Sequence, residues 1–170
     1  MTTDISFGYG YKEFYDKAYY RYTEHDVKNN DPRSDYDMAE YYRNAGEKQK
    51  SETYYKKSFT AWQQYAKLGL PEACYFLGYF YQYGYGVTED RSKAEEYYKQ
   101  AYDEFVKYQG NPSYLYFLGR LYESGYYEGK LGKTDYKKAS HYYSMAASFG
   151  YPDAFYRLGY IDALQGKAAN

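Results

Sequence analysis

The 170-residue chain carries 22 basic and 23 acidic side chains, for a formal net charge of −1, so it offers no basic field to a phosphate backbone and generic nucleic-acid binding is disfavoured. Its one cysteine, Cys74, excludes an internal disulfide and any cysteine-based metal cluster. No apolar run approaches the roughly 20 residues that a membrane helix needs, and Met1-Thr2-Thr3-Asp4-Ile5-Ser6 lacks the basic flank and apolar core of a secretory leader, so a soluble, cytoplasmic protein is expected.

Tyrosine is the compositional outlier, with 32 residues; each ring brings a large apolar area that a mean hydropathy of −1.00 understates. Only 14 residues are Ile, Val or Leu, which argues against strands and for an all-helical chain. Residues 1–10 show no periodicity. From Tyr11 to about Val27, Phe14, Ala18 and Tyr22 recur at helical spacing, as expected of a helix covering one open end of a stack. The stretch Lys28-Asn29-Asn30-Asp31-Pro32-Arg33 reads as a polar break. A helix is expected from Ser34 or Asp35, either of which can cap it, to about Ala45. A long second helix then runs from Glu47 to Leu68, closed by Gly69, with Ala61, Trp62, Tyr65 and Ala66 as a core stripe.

From Gly69 the chain repeats itself. Gly69-Leu70-Pro71-Glu72-Ala73-Cys74-Tyr75-Phe76-Leu77-Gly78 returns as Gly110-Asn111-Pro112-Ser113-Tyr114-Leu115-Tyr116-Phe117-Leu118-Gly119, and again as Gly150-Tyr151-Pro152-Asp153-Ala154-Phe155-Tyr156-Arg157-Leu158-Gly159. Such a period marks a solenoid, in which no unit buries its apolar face alone. Each unit opens with a proline suited to the first helical turn. The loop 84–89 leads to Asp90, a cap for a helix to about Tyr108 with Ala94, Tyr97, Tyr98 and Ala101 inward. The second unit spans Pro112 to Ser124, a longer loop 125–133, and a helix from Thr134 to Phe149 with Ala139, Tyr142, Tyr143, Ala146 and Ala147 inward. A last helix runs from Pro152 to about Leu164, ahead of a polar tail. Gly78, Gly119 and Gly159 recur against helix propensity, which implies that two helices approach closely there.

These positions resemble the Sel-one-like repeat, a helix–turn–helix relative of the tetratricopeptide repeat. The resemblance rests on Leu77-Gly78, Tyr81, Gly84-Tyr85-Gly86-Val87, Asp90, Lys93-Ala94, Tyr97-Tyr98 and Ala101. It is repeated at Leu118-Gly119, Tyr122, Gly125, Asp135, Lys138-Ala139, Tyr142-Tyr143 and Ala146-Ala147, with a half-unit at Pro152-Asp153-Ala154 and Leu158-Gly159. It implies a right-handed all-α solenoid of about eight helices. The division is a cap region at 1–33, a degenerate repeat at 34–70, repeats at 71–110 and 111–150, and a half-repeat at 151–170. It further implies an adaptor that holds other proteins on a concave surface lined by the first helices; some bacterial members act in host interaction or envelope assembly.

No chemistry-bearing constellation competes with that reading. Gly132-Lys133-Thr134 resembles the end of a phosphate-binding loop, but Tyr127 stands where its first glycine belongs. His25 and His141 are far apart and each lacks co-ligands. Cys74 falls at an apolar repeat position with no histidine spaced to activate it. Glu95-Glu96 reads as a solvated helix face. No enzyme, cofactor or metal is therefore expected. A tyrosine excess of this size must reach water in part, and tyrosine makes contact area at low entropic cost. Repeat stepping generates two columns, Tyr75-Tyr116-Tyr156 and Tyr79-Arg120-Tyr160, opposite the face of Ala73, Leu77 and Phe80. They are the expected partner-binding residues for a peptide or protein surface, with stacking of glycan rings on tyrosine as the alternative.

Overall fold

The computed structural model describes residues 31–169. Within them the architecture is all-α and built from helix pairs. The helices are α1 (Pro32–Asn44), α2 (Lys48–Lys67), α3 (Pro71–Tyr83), α4 (Arg91–Phe105, continued by a 3-10 turn over Val106–Tyr108), α5 (Pro112–Glu123), α6 (Tyr136–Ser148) and α7 (Pro152–Ala169). The helix expected over Tyr11 to Val27, and His25 within it, lie outside the described residues. The chain divides into two compact units: residues up to Trp62 together with Tyr85–Val87, and Gln63–Gly84 together with the chain from Thr88 onward.

Proline opens four of the helices, at Pro32, Pro71, Pro112 and Pro152, where its missing N–H costs nothing and its fixed φ suits the first turn. Side chains complete the starts. The Asp31 carboxylate accepts from the Arg33 N–H at 2.9 Å, Asn111 from Ser113 at 2.9 Å, Asp90 from Lys93 at 3.0 Å and Asp135 from Lys138 at 2.9 Å. The start of α1 therefore differs from expectation. Asp31 is its cap, Pro32 begins the helix, and Ser34 and Asp35 are buried inside it.

In the first unit α1 and α2 pack as a pair. The Ser51 hydroxyl donates to the Ala39 carbonyl at 2.9 Å, and the Ser58 hydroxyl donates to the Pro32 carbonyl. Ala39 stands seven residues after Pro32, as Gly78 does after Pro71 and Gly119 after Pro112, so the pair has the plan of the later repeats with alanine in the glycine place. The Tyr85 ring stacks on Tyr55 at 4.6 Å and 7°. Gly86 makes this possible, because its φ is +64° and a Cβ there would lie 2.7 Å from the Tyr55–Lys56 backbone.

In the second unit α3 pairs with α4, α5 with α6, and α7 packs on α6. The recurring glycines explain the first two pairings. A Cβ on Gly78 would stand 2.6 Å from the Tyr98 ring, and one on Gly119 would stand 2.5 Å from the Tyr143 ring. Both rings are fully buried. Gly159 departs from this pattern, because nothing lies within 4 Å of its Cβ position; no second helix packs there among the described residues. The last helix also runs on to Ala169 rather than ending near Leu164, since Gln165, Lys167, Ala168 and Ala169 are all compatible with a helix.

The segment 125–133 is more than a loop. β1 (Tyr126–Tyr127) and β2 (Lys130–Leu131) pair antiparallel, Tyr127 opposite Lys130. The two turn residues, Glu128 and Gly129, have φ of 48° and 86°, the all-positive turn that matches strand twist. The hairpin is fastened to α4 through Glu95, whose carboxylate accepts from the Leu131 N–H at 2.9 Å and pairs with Lys130 at 3.2 Å and Arg91 at 3.2 Å. Arg91 in turn donates to the Leu131 carbonyl. Glu95 is thus a structural anchor, not the solvated residue its helix position suggested, and the backbone N–H of Leu131 leads the interactions that hold its carboxyl below the ordinary range. Tyr126 is buried against Tyr98 and Tyr102.

Candidate ligand-binding surface

The first helices of the second unit, α3, α5 and α7, carry all six residues of the two expected columns. The columns do not behave alike. Tyr75 is fully buried, between the rings of Tyr98 at 5.7 Å and Phe117 at 5.1 Å, so the expectation that it stands on an open face opposite Ala73, Leu77 and Phe80 is corrected. An inner first helix packs against its own second helix on one side and against the next repeat on another, and Tyr75 meets both. Tyr116 is likewise 7% exposed, against Tyr143 at 5.6 Å and Tyr151 at 5.1 Å. Tyr79 is partly buried and packs on Tyr83 at 4.7 Å. Tyr156 and Tyr160 reach solvent, at 71% and 43% exposure.

Arg120 draws one column into the other. Its guanidinium lies over the rings of Tyr75, Tyr79 and Tyr116 at 5.5, 5.9 and 6.0 Å, within the range of cation–π attraction, and its Nη1 donates to the Tyr116 hydroxyl at 3.2 Å. Burial works to lower its pKa, but Tyr75, Tyr116 and Tyr143 around it outweigh burial and hold it well above the ordinary value. The group is a fixed cation. No ring contact or cation–π contact among the described residues ties Tyr156 or Tyr160 to this cluster.

Three residues outside the two expected columns complete the arrangement. Arg157 of α7 reaches across to Glu123 of α5, Nη1 to Oε1, at 3.2 Å. The Tyr143 hydroxyl donates to the other carboxylate oxygen of Glu123. Arg157 is thus committed to Glu123, while the Tyr116 hydroxyl is taken by Arg120. Tyr143 had been read as core, which it is, with its hydroxyl serving the charge network. The one linear sign was that Arg120 and Glu123 are the sole charged residues of α5. Cys74 is partly buried, its thiol 3.8 Å from Gln100, and burial raises its pKa; His141 is exposed beside Tyr142. No group of three or more His, Cys, Asp or Glu side chains converges among the described residues, and no described helix is long and apolar enough to cross a membrane.

Comparison with known families matches the Sel1 repeat twice, over residues 71–104 and 112–151. The chain carries Sel1 repeats. The helix pairs α3–α4 and α5–α6 are these two repeats. Among solved structures, the chain is similar to a Sel1 repeat protein from Oxalobacter formigenes, with 26% identity over 80% of this chain and 51% of that one, at a TM-score of 0.41. It is also similar to a protective antigen present in uropathogenic Escherichia coli strains that displays an SLR fold, with 21% identity over 83% of this chain and 35% of that one, at a TM-score of 0.39. The chain thus spans about half of the first structure's length and about a third of the second's. A search of curated proteins gives no match.

Proposed function

We propose that this Sel1-repeat chain is a non-catalytic interaction module that holds a peptide or protein surface against its first helices, through Tyr79, Arg120, Tyr156 and Tyr160, with Tyr75 and Tyr116 as the buried floor beneath Arg120. Sel1 repeats are in general protein-interaction modules. The observation that carries the reading is Arg120 itself: a permanently charged group seated among three tyrosine rings. Tyrosine and arginine are the residue types most enriched where truncation costs an interface most. The solvent-facing Phe155, Tyr156 and Tyr160 of α7 add aromatic area near Arg157 in the chain.

A peptide-display selection on the folded chain tests it. Selected peptides are expected to lose at least tenfold in affinity, about 1.4 kcal/mol, on Tyr156→Ala or Tyr160→Ala, with thermal stability unchanged because both side chains are exposed. Tyr116→Ala is a poor probe of binding, since its burial means that truncation also costs stability. Selected peptides indifferent to both α7 substitutions, or retention of the chain on polysaccharide with no peptide enriched, would displace the reading.

A further inference from the structure

Arg120 has a hydrogen bond and an aromatic surround but no carboxylate. Glu123, the acid nearest to it in sequence on α5, is already used: Oε1 by Arg157 at 3.2 Å and Oε2 by the Tyr143 hydroxyl. No acidic group lies within ion-pair distance of Arg120 among the described residues, although ion pairs are abundant elsewhere, from Arg91–Glu95 at 3.2 Å to Lys99–Asp103 at 2.5 Å. Arg157 takes the Glu123 carboxylate, which leaves Arg120 as a positive charge in excess in a partly buried, tyrosine-walled setting. Of the five N–H donors of Arg120, one goes to Tyr116. A partly desolvated guanidinium without a counter-charge is costly unless an acceptor completes it, and its planar fork matches two carboxylate oxygens.

We propose that Arg120, seated among the Tyr75, Tyr79 and Tyr116 rings, is an anion-binding anchor that takes a carboxylate of an acidic peptide held on the first helices. The occupant is a peptide side chain or terminus, because the tyrosine rings around the charge offer apolar and phenolic walls to the residues flanking the acid. This inference rests on the interaction reading above and names the chemistry of its partner.

The test follows the Arg120 Nε–Hε resonance of the full chain by NMR, with tetraglutamate and inorganic phosphate as probes, alongside peptides selected by display. Tetraglutamate is expected to shift that resonance to saturation, and selected peptides are expected to carry Asp or Glu. Their affinity should fall at least tenfold both when the acid is changed to its amide and in Arg120→Met. Arg120→Lys, which keeps the charge and loses the fork, should recover only part of it. Arg157→Met provides an independent variant, expected to weaken tetraglutamate several-fold, should Arg120→Met prove unstable by thermal denaturation. Peptides that need Tyr156 and Tyr160 but ignore Arg120→Met would overturn the anchor and leave the interaction reading standing. Saturation by phosphate without a response to tetraglutamate would overturn the carboxylate assignment, and silence to both probes would overturn the anion site altogether.

Discussion

The ring of Tyr143 lies 2.5 Å from the place a Cβ would occupy on Gly119, whereas the same repeat position on α7, Gly159, faces open space. One substitution thus has opposite signs at equivalent sites. Gly119→Ala is expected to cost about 1–3 kcal/mol, because a fully buried ring has no flexible end with which to yield. Gly159→Ala is expected to be neutral or to stabilise by up to about 1 kcal/mol, the usual gain for alanine at an exposed helical position; urea titration of both variants measures this. A second buried residue makes a charge argument. Burial raises the pKa of Asp35, with Lys57 at 3.5 Å opposing it only in part. A carboxyl whose folded pKa exceeds its unfolded value penalises folding at neutral pH, and the penalty lifts as pH falls through the folded value. Lys57→Met should therefore destabilise more at pH 7 than at pH 4 relative to the parent, and Asp35→Asn should suppress that difference.

At the scale of elements, the helices were legible because proline and glycine punctuate them: Pro71, Pro112 and Pro152 begin helices where the repeat put them, and left-handed Gly84 ends α3. Pro32 belongs to the same series but was read as a breaker, since the polar residues before it carry no repeat signature. The hairpin escaped because two-residue strands show no period, and Glu128-Gly129 was its one sign. Tyr75 was misplaced because a helical wheel recognises one buried face, while a helix inside a stack has two. Arg120 emerged from repeat stepping; the Glu123–Arg157 pair did not, because an ion pair spanning α5 and α7 has no linear spacing. The hairpin makes its own prediction. The Glu95 carboxyl is held below the ordinary range chiefly by the Leu131 N–H, so its contribution is present above the unfolded value of about 4.3 and is lost as pH falls through the folded one. Glu95→Ala should raise hydrogen exchange at Leu131 while leaving that of α5 and α6 as it was; unchanged exchange at Leu131 would show the hairpin to be held by Arg91 and Tyr126 without Glu95.

For the whole molecule, the balance of near-zero net charge with one locally uncompensated guanidinium means that charge is informative here only by position. The last described helix, α7, is where position and stability meet. α7 buries Ala154 and Ile161 completely, lays Arg157 against Glu123 at 3.2 Å, and is preceded by Tyr151, which packs on Tyr116 at 5.1 Å. In a repeat array, stability is close to a sum of repeat terms and neighbour terms, so an end unit can be removed without abolishing the rest. A chain ending at Gly150 should keep the helices α3 to α6 and lose the terms that α7 supplies. Ile161 alone is worth about 1.5–3 kcal/mol when fully buried, and each kcal/mol moves Tm by about 2–4 °C in a chain of this size. Thermal unfolding followed by circular dichroism should therefore show a Tm lower by at least about 5 °C with ellipticity per residue nearly unchanged. The same truncation takes away the Arg157 guanidinium and the Tyr151 wall while leaving Arg120 and Glu123 free to pair with each other. Tetraglutamate should then lose its hold on the Arg120 resonance even though the repeat that carries Arg120 stays folded; retained binding would place the anchor on α5 alone.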